Sequence, residues 1–325
     1  MAKYLFLLIA LIFSAGAFGA EWPARVFAPY MYVGAGDHLQ LTECDDACHQ
    51  KFYTLAFIIA DKTGAPAWDG RFSLEHHIFS DEIDAIRARG GDVIVSFGGA
   101  DGTEIGIAET NIAILSARYQ SIIDRYRLTW LDFDIEGDSL AKTNANSRRN
   151  FVLAALQKTN PGLRITFTLP VDPNGISDDS QKMLTDATAQ GVKVFSANVM
   201  TMDFGEHFSK GKKLSDVSIA SVLKAHEQCQ AIDPSIKIGI TAMIGQNDVR
   251  TEVFSQTDAK ALEEWAEGQP WVCSLSFWAS NRDAGRSEKG KNENTTSGIP
   301  QKPWEFTRLF QRFMRSPLVN SQTKP

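Results

Sequence analysis

Residues 128–137 (LTWLDFDIEG) carry carboxyl side chains at every second position, Asp132, Asp134 and Glu136. Successive side chains of a strand point to opposite faces, so these three share one face while Phe133 and Ile135 take the other. The ~3.3 Å rise per residue steps the carboxyls roughly 7 Å apart along that face. Flanking leucine, tryptophan, phenylalanine and isoleucine imply burial rather than an exposed alternating strand. Three buried anions are very costly, so at least one of the group must hold or share a proton. Glu136, at the end of the run, is the natural holder and hence a candidate general acid. The competing chemistry is a divalent cation, because clustered carboxylates also suit magnesium or calcium. Magnesium sites usually serve phosphoryl substrates, and the chain has no glycine-rich phosphate loop. No metal and no cofactor is expected, and the six histidines form no ligand-like set.

Such a group needs a frame to hold it. Short β-rich apolar runs recur about every 35 residues, at 26–33, 53–60, 92–97, 128–134, 164–169, 193–199, 237–241 and 272–278. Many are continuously apolar, as strands buried on both faces must be. Helical patterns lie between them. Ser80 reads as a helix cap, with Asp81 and Glu82 in the first turn and Gly90 at the end. Ile112, Leu115, Tyr119, Ile122, Ile123 and Tyr126 follow helical spacing. Thr257 and Asp258 open a helix that Gly268 ends, and Pro303 suits the first turn of a last one carrying Phe306, Leu309, Phe310 and Phe313. Eight strand–helix units of this kind specify the α/β class and a parallel sheet closed into a (β/α)8 TIM barrel. An open doubly wound sheet is the rival, and it would want a glycine-rich turn after an early strand. A single domain is expected over residues 21–316, with a polar loop at 287–297 and a loose tail at 317–325.

In such a barrel the residues at the carboxyl ends of the strands face the active-site mouth. Asp-x-Asp-x-Glu at the end of the fourth strand resembles the signature of family 18 glycoside hydrolases, the chitinases. Four further stretches agree in order. Ser96-Phe97-Gly98-Gly99 ends the third strand like the family's Ser-x-Gly-Gly. Met200-Thr201-Met202-Asp203-Phe204 ends the sixth like its Met-x-Tyr-Asp motif. Met243 to Asp248 follow the seventh, and Ser276-Phe277-Trp278 with Asn281-Arg282-Asp283 end the eighth. These two, with Gly298-Ile299-Pro300-Gln301, are similar to the bacterial and archaeal chitinase D-like branch. The likeness spans nearly all of residues 21–316. Two positions depart from the family pattern: Thr129 stands where it has a first aspartate, and Met202 where it has a tyrosine.

The resemblance implies a retaining hydrolysis of β-1,4 bonds between N-acetylglucosamine units, assisted by the substrate. Glu136 would protonate the leaving oxygen and later activate water. Asp134 would orient the acetamido N–H, with Asp132 behind it and Asp203 helping to position the same group. Trp278 would stack beneath the sugar, unless it merely fills the core, and Met200 and Asp248 would line the site, unless Asp248 is only solvated. Met202 cannot donate a hydrogen bond, so Tyr30 or Tyr32 is a candidate to hold the acetamido carbonyl. Ser96 and the paired glycines read as close backbone packing rather than chemistry. Retention of Glu136 disfavours a catalytically dead lectin on the same barrel. An endo-β-N-acetylglucosaminidase acting on glycans or peptidoglycan is the nearest enzymatic alternative.

The chain has 325 residues and a formal net charge of −6, from 33 basic and 39 acidic side chains. That balance argues against nucleic acid as a partner, and chitin is uncharged. Its hydrophobic fraction of 43% excludes disorder as the main state. Lys3, an apolar run at 4–13 and small residues at 14–20 read as a secretory signal peptide, an uncleaved anchor being the alternative. A secreted or periplasmic monomer without a membrane span is expected. Of four cysteines, Cys44 and Cys48 lie close together in a polar stretch and are expected to form a local disulfide. Cys229 and Cys273 are distant, in apolar surroundings, and read as small buried hydrophobes.

Overall fold

The computed structural model describes residues 21–34, 39–76, 79–284 and 294–315. The expected signal peptide, the tail and most of the polar loop before residue 294 lie outside these. Among the described residues eight parallel strand positions close on themselves. They are β1, split into Val26–Phe27 and Tyr30–Tyr32, β2 (Phe52–Ala60), β3 (Asp92–Gly98) and β4 (Trp130–Asp134). β5 (Arg164–Asp172), β6 (Val194–Thr201), β7 (Lys237–Met243) and β8 (Val272–Trp278) complete the set. The first half of β1 pairs with β8, Val26 opposite Ser274, and its second half with β2, Tyr30 opposite Thr54. The eight expected strands are thus present, except that the first is two short pieces. The break falls at Ala28 and Pro29, where proline has no N–H to give a ladder.

One main helix follows each strand: α1 (Leu41–Cys48), α2 (Ser80–Ala88), α3 (Ile112–Tyr126), α4 (Thr143–Thr159), α5 (Asp178–Ala189), α6 (Leu214–Ile232), α7 (Gln256–Glu267) and α8 (Glu305–Phe310). Their starts differ in detail from the expected ones. Ser80 is not the cap of α2; Phe79, in a left-handed conformation, precedes it, and the Ser80 hydroxyl is buried without a hydrogen-bond partner. At α7 the cap is Ser255, whose side chain and that of Asp258 exchange bonds with each other's backbone N–H in a capping box. α8 begins two residues beyond Pro303, after Trp304. On α3 the expected apolar face is buried from Leu115 to Tyr126, whereas Ile112 stands exposed at the first turn.

Side-chain alternation gives the strands two different environments. Phe97, Phe133 and Phe167 point outward from β3, β4 and β5; Phe97 stacks on Phe133, Phe167 meets Phe133 at a tilt, and Tyr119 of α3 meets Phe97 and Phe133 edge-on. The inward face is polar: Tyr30, Ser96, Asp132, Thr166, Thr168, Ser196, Asn198 and Thr241 are all buried there. The Asn198 amide ties this layer together, donating to Thr168 Oγ1 at 2.9 Å and Thr241 Oγ1 at 2.8 Å.

The cysteine expectation is corrected. Cys44 and Cys48 lie one turn apart on α1, where both Cβ atoms tilt toward the helix N-terminus instead of facing each other. No bond joins their sulfurs, and the Cys48 thiol donates to the Cys44 carbonyl oxygen at 3.0 Å. Burial pushes that thiol up to about 11. Cys229 and Cys273 are buried and unbridged, as expected of small hydrophobes.

Candidate active site

The register of β3, β4 and β5 decides where the first carboxylate goes. Ser96 lies opposite Asp132 across the β3–β4 ladder, and its hydroxyl donates to Asp132 Oδ2 at 2.6 Å. Thr168 of β5 donates to Oδ1 at 2.7 Å, and Tyr30 of β1 to Oδ2 at 2.9 Å. Three hydroxyl donors favour the anion, yet full burial outweighs them and raises the Asp132 pKa to about 6. Ser96, read from the sequence as backbone packing, therefore holds a carboxylate. Thr168 belongs to no motif, and only the β4–β5 register brings it to Asp132.

Two residues further along β4, Asp134 has a different setting. It is buried, its Oδ1 has no hydrogen-bond partner, and it lines the cavity at the carboxyl end of the barrel. Burial first, then the nearby charges of Glu136 and Asp132, push its pKa well above the carboxylate range. Its backbone is fixed from β3. The Gly99 N–H donates to the Asp134 carbonyl at 3.0 Å, and a Cβ on Gly98, which has φ of 103°, would fall 2.1 Å from that oxygen. Only glycine fits there. No hydrogen bond joins Asp132 to Asp134, since the oxygens of Asp132 are taken by hydroxyls.

Glu136 follows the strand end and opens onto the same cavity, of about 340 Å³. Burial raises its pKa to about 7, with the charges of Asp101, Asp203 and Asp248 acting in the same direction. Asp203 reaches the cavity from the loop after β6 in a left-handed conformation, φ 52°. That turn is laced to the loop after β7. Val249 N–H donates to Asp203 Oδ1 at 2.8 Å, and Phe204 N–H to Glu252 Oε2 at 3.0 Å. Glu252 is itself buried, and its carbonyl accepts the Asn247 N–H at 3.0 Å. Glu252 carries no motif and was not visible in the sequence.

One wall is aromatic. Trp278, at the end of β8, stacks on Phe57 of β2 with centroids 5.7 Å apart and planes 11° from parallel. Tyr30 and Tyr32 flank it at 6.0 and 5.6 Å. Trp278 lines the cavity and so is not confined to the core; Phe57 was missed because nothing in its sequence setting separates it from a buried strand residue. Met200, Met202 and Asp248 also line the cavity. The expectation for the tyrosines is corrected. The Tyr30 hydroxyl is committed between Asp132 and Thr168, and that of Tyr32 donates to Asp69 at 3.1 Å, so both are already engaged. Thr129 lies one residue before β4 and accepts from Trp22 Nε1 at 2.9 Å, away from the carboxylates.

No protein-family model matches the chain. It is 29% identical over 281 residues to a "Probable bifunctional chitinase/lysozyme" of Escherichia coli (strain K12), covering 81% of this chain and 31% of that one. It is likewise 29% identical over 279 residues to "Endochitinase 11" of Metarhizium anisopliae, covering 53% of it. The chain thus spans about a third and a half of the lengths of these curated relatives. Among solved structures, the catalytic domain of a hyperthermophilic chitinase from Pyrococcus furiosus superposes with a TM-score of 0.81 at 30% identity, over 93% of this chain and 99% of that one. Mutants of active domain 2 of a Pyrococcus furiosus chitinase, complexed with chito-oligosaccharides, match at 0.81 and 31%, over 91% and 97%. With this identity across whole domains, and Asp-x-Asp-x-Glu closing the fourth barrel strand, the chain belongs to the family 18 glycoside hydrolases, the chitinases.

Proposed function

We propose that this protein hydrolyses β-1,4 bonds between N-acetylglucosamine units of chitin or its oligosaccharides, with retention and with the substrate's own N-acetyl group as nucleophile. The observation that carries the reading is Glu136, which holds its proton up to about pH 7 in a cavity beside the buried, unpartnered oxygen of Asp134. In this scheme Glu136 gives its proton to the glycosidic oxygen as the bond to the anomeric carbon breaks. The acetamido oxygen closes onto that carbon, forming an oxazolinium ion. Asp134 accepts the acetamido N–H, which offers its orphan oxygen the partner it lacks. Glu136, now a base, takes a proton from the water that opens the ring. The stacked Trp278–Phe57 pair gives an apolar surface on which a sugar face can lie.

Asp132 acts one step removed, held by three hydroxyls beneath Asp134, and Asp203 faces the site from the β6 turn. The signal-like first twenty residues support export to the periplasm or beyond. Among the described residues no helix is long and apolar enough to cross a membrane. A second reading, cleavage of peptidoglycan or glycan cores at N-acetylglucosamine, is favoured by one relative's name, which couples chitinase with lysozyme.

The test is turnover of a chromogenic chitobiose or chitotriose glycoside by the wild type and by Glu136→Gln. The amide keeps the shape of the acid but has no proton to give, so the loss should be about 10²–10⁴-fold. Activity of the variant within about threefold of wild type would remove Glu136 from the chemistry. Product NMR should show the β anomer first, and a thiazoline analogue of the cyclised intermediate should inhibit competitively. An initial α product would sink the substrate-assisted route.

A further inference from the structure

Beneath the active-site cavity the barrel interior holds a second, far smaller one, of about 20 Å³. Asp132 lines it, and Tyr30 lines both cavities, so these two side chains stand between them. Thr54, Asn198, Ser274 and Ser276 supply further polar wall. All of these are buried except Ser274, which is half-buried in the first half of β8 and marks the way in from the amino end of the barrel. The wall is rich in acceptors and short of donors. Thr54 and Ser276 both donate to the Ala28 carbonyl, at 3.2 and 2.8 Å, and a hydroxyl has only one proton to give. Among the described residues no donor reaches either hydroxyl oxygen. The Asn198 amide nitrogen is committed to Thr168 and Thr241, and its oxygen accepts one bond, from Thr241 at 3.0 Å. Buried lone pairs left open beside a carboxylate are unfavourable unless a donor meets them. A cavity needs about 10–15 Å³ to admit one water molecule, and the water needs two to four polar partners. Both conditions hold here.

We propose that this lower cavity binds a single water molecule, which hydrogen-bonds the Thr54 and Ser276 oxygens and hydrates Asp132 from below. Its protons meet lone pairs that the wall leaves open, and the Ser274 hydroxyl, on the same wall, can donate to its oxygen. Asp132 is a positioning residue, acting on the sugar only through Asp134, and its charge helps to keep the shared proton on Asp134 and Glu136. A polar neighbour that turns toward that charge offsets part of the desolvation that burial imposes. The water therefore sets how readily Asp132 ionises, at one remove from the chemistry. This role rests on the glycosidase reading above; the binding of the water does not.

A high-resolution crystal structure of the full chain should show one ordered oxygen about 2.5–3.0 Å from Thr54 Oγ1 and Ser276 Oγ. In solution, NMR of the methyl-labelled protein should give a water cross-peak to the methyl groups of Thr54 and Ile94, both on the cavity wall. A dry cavity by both measurements, or an atom with oxygen neighbours near about 2.4 Å, the spacing of a metal cation, overturns the proposal. Thr54→Val keeps the shape of the side chain and removes one oxygen, while Ser276 still serves the Ala28 carbonyl. With poorer hydration Asp132 gives up its proton only at higher pH. The acid limb of kcat/KM should then move up by about half a pH unit or more, and the basic limb, set by Glu136, should stay. Thr54→Ser, which keeps the oxygen, should leave both limbs where they are in the wild type. Ser276→Ala makes the same test from the other side if Thr54→Val does not fold. An acid limb unmoved in Thr54→Val, or moved equally in Thr54→Ser, overturns the role given to the water. If the wild type cleaves no chitooligosaccharide, it is the glycosidase reading that fails. Titration of the Asp132 carboxyl carbon by NMR then reads the same shift without turnover.

Discussion

Asp132 and Asp134 stand two positions apart on one strand and differ in everything that surrounds them. Three hydroxyls stabilise Asp132 as an anion, while Asp134 has burial and two like charges against it. The proton shared among the group therefore resides toward Asp134 and Glu136. With Glu136 at about 7, the basic limb of kcat/KM should fall near neutrality. Asp101→Asn removes an anion that holds the proton on, so that limb should move to lower pH, by a few tenths of a unit for an exposed neighbour. A limb that stays put would separate Asp101 from Glu136. The same shifts act on stability. These carboxyls are raised in the folded state, so their contribution is fully present below the unfolded values near 4 and is lost as pH rises through the folded ones. Asp134→Asn should thus raise the melting temperature at pH 8 more than at pH 4, while abolishing most turnover. A variant no more stable than wild type at pH 8 would count against a buried, uncompensated Asp134. The three acids were legible because a strand's period of two is written directly in Asp-x-Asp-x-Glu. Ser96, Thr168 and Tyr30 were not legible as donors, because their meeting with Asp132 depends on the register of three other strands.

At the level of elements, the loops after β6 and β7 behave as one piece. Glu252 accepts the Phe204 N–H and, through its carbonyl, the Asn247 N–H, so the turn that presents Asp203 is set from the neighbouring loop. Glu252→Ala should lower kcat by roughly tenfold or more with a smaller change in KM, as misplacement of a positioned group does. Glu252→Gln, which keeps an acceptor, should recover most of that loss. Equal damage by both variants would mean that bulk or charge, not the hydrogen bond, is what matters. Strand positions were read closely from the sequence because short β-rich runs recur at an even spacing that leaves room for one helix between each pair. Helix starts were read less well. Ser80 has a capping side chain and acidic followers, but the backbone enters α2 through left-handed Phe79 and leaves that hydroxyl inside. The polar neighbours of Cys44 and Cys48 suggest a loop bridge, but they belong to helix α1, with Glu43 and Asp46 on its exposed face and Asp45 buried beside the cysteines.

For the whole molecule, eight evenly spaced units implied a closed barrel, but spacing says nothing about how firmly the ends are joined. Closure rests on the two pieces of β1, two and three residues long, whereas every other barrel strand has five or more. Gln50 donates to the Phe27 and Phe52 carbonyls, and Gln311 from beyond α8 donates to Gln50 at 3.0 Å, so a glutamine relay latches the join at its lower end.

That split strand has a consequence for heat. Tyr30, the residue nearest its break that reaches Asp132, sits in the three-residue piece. Local opening at this seam would withdraw the tyrosine from the acid cluster while most of the barrel stayed folded. Warming should therefore silence the enzyme before it melts it. Activity assayed at temperature should reach its midpoint several degrees below the loss of far-ultraviolet ellipticity, and Gln311→Ala should widen that interval. Amides of residues 26–32 should exchange with deuterium faster than those of β3 or β5 over the same range. Coincident midpoints, or a first strand as slow to exchange as its neighbours, would show that the barrel opens everywhere at once.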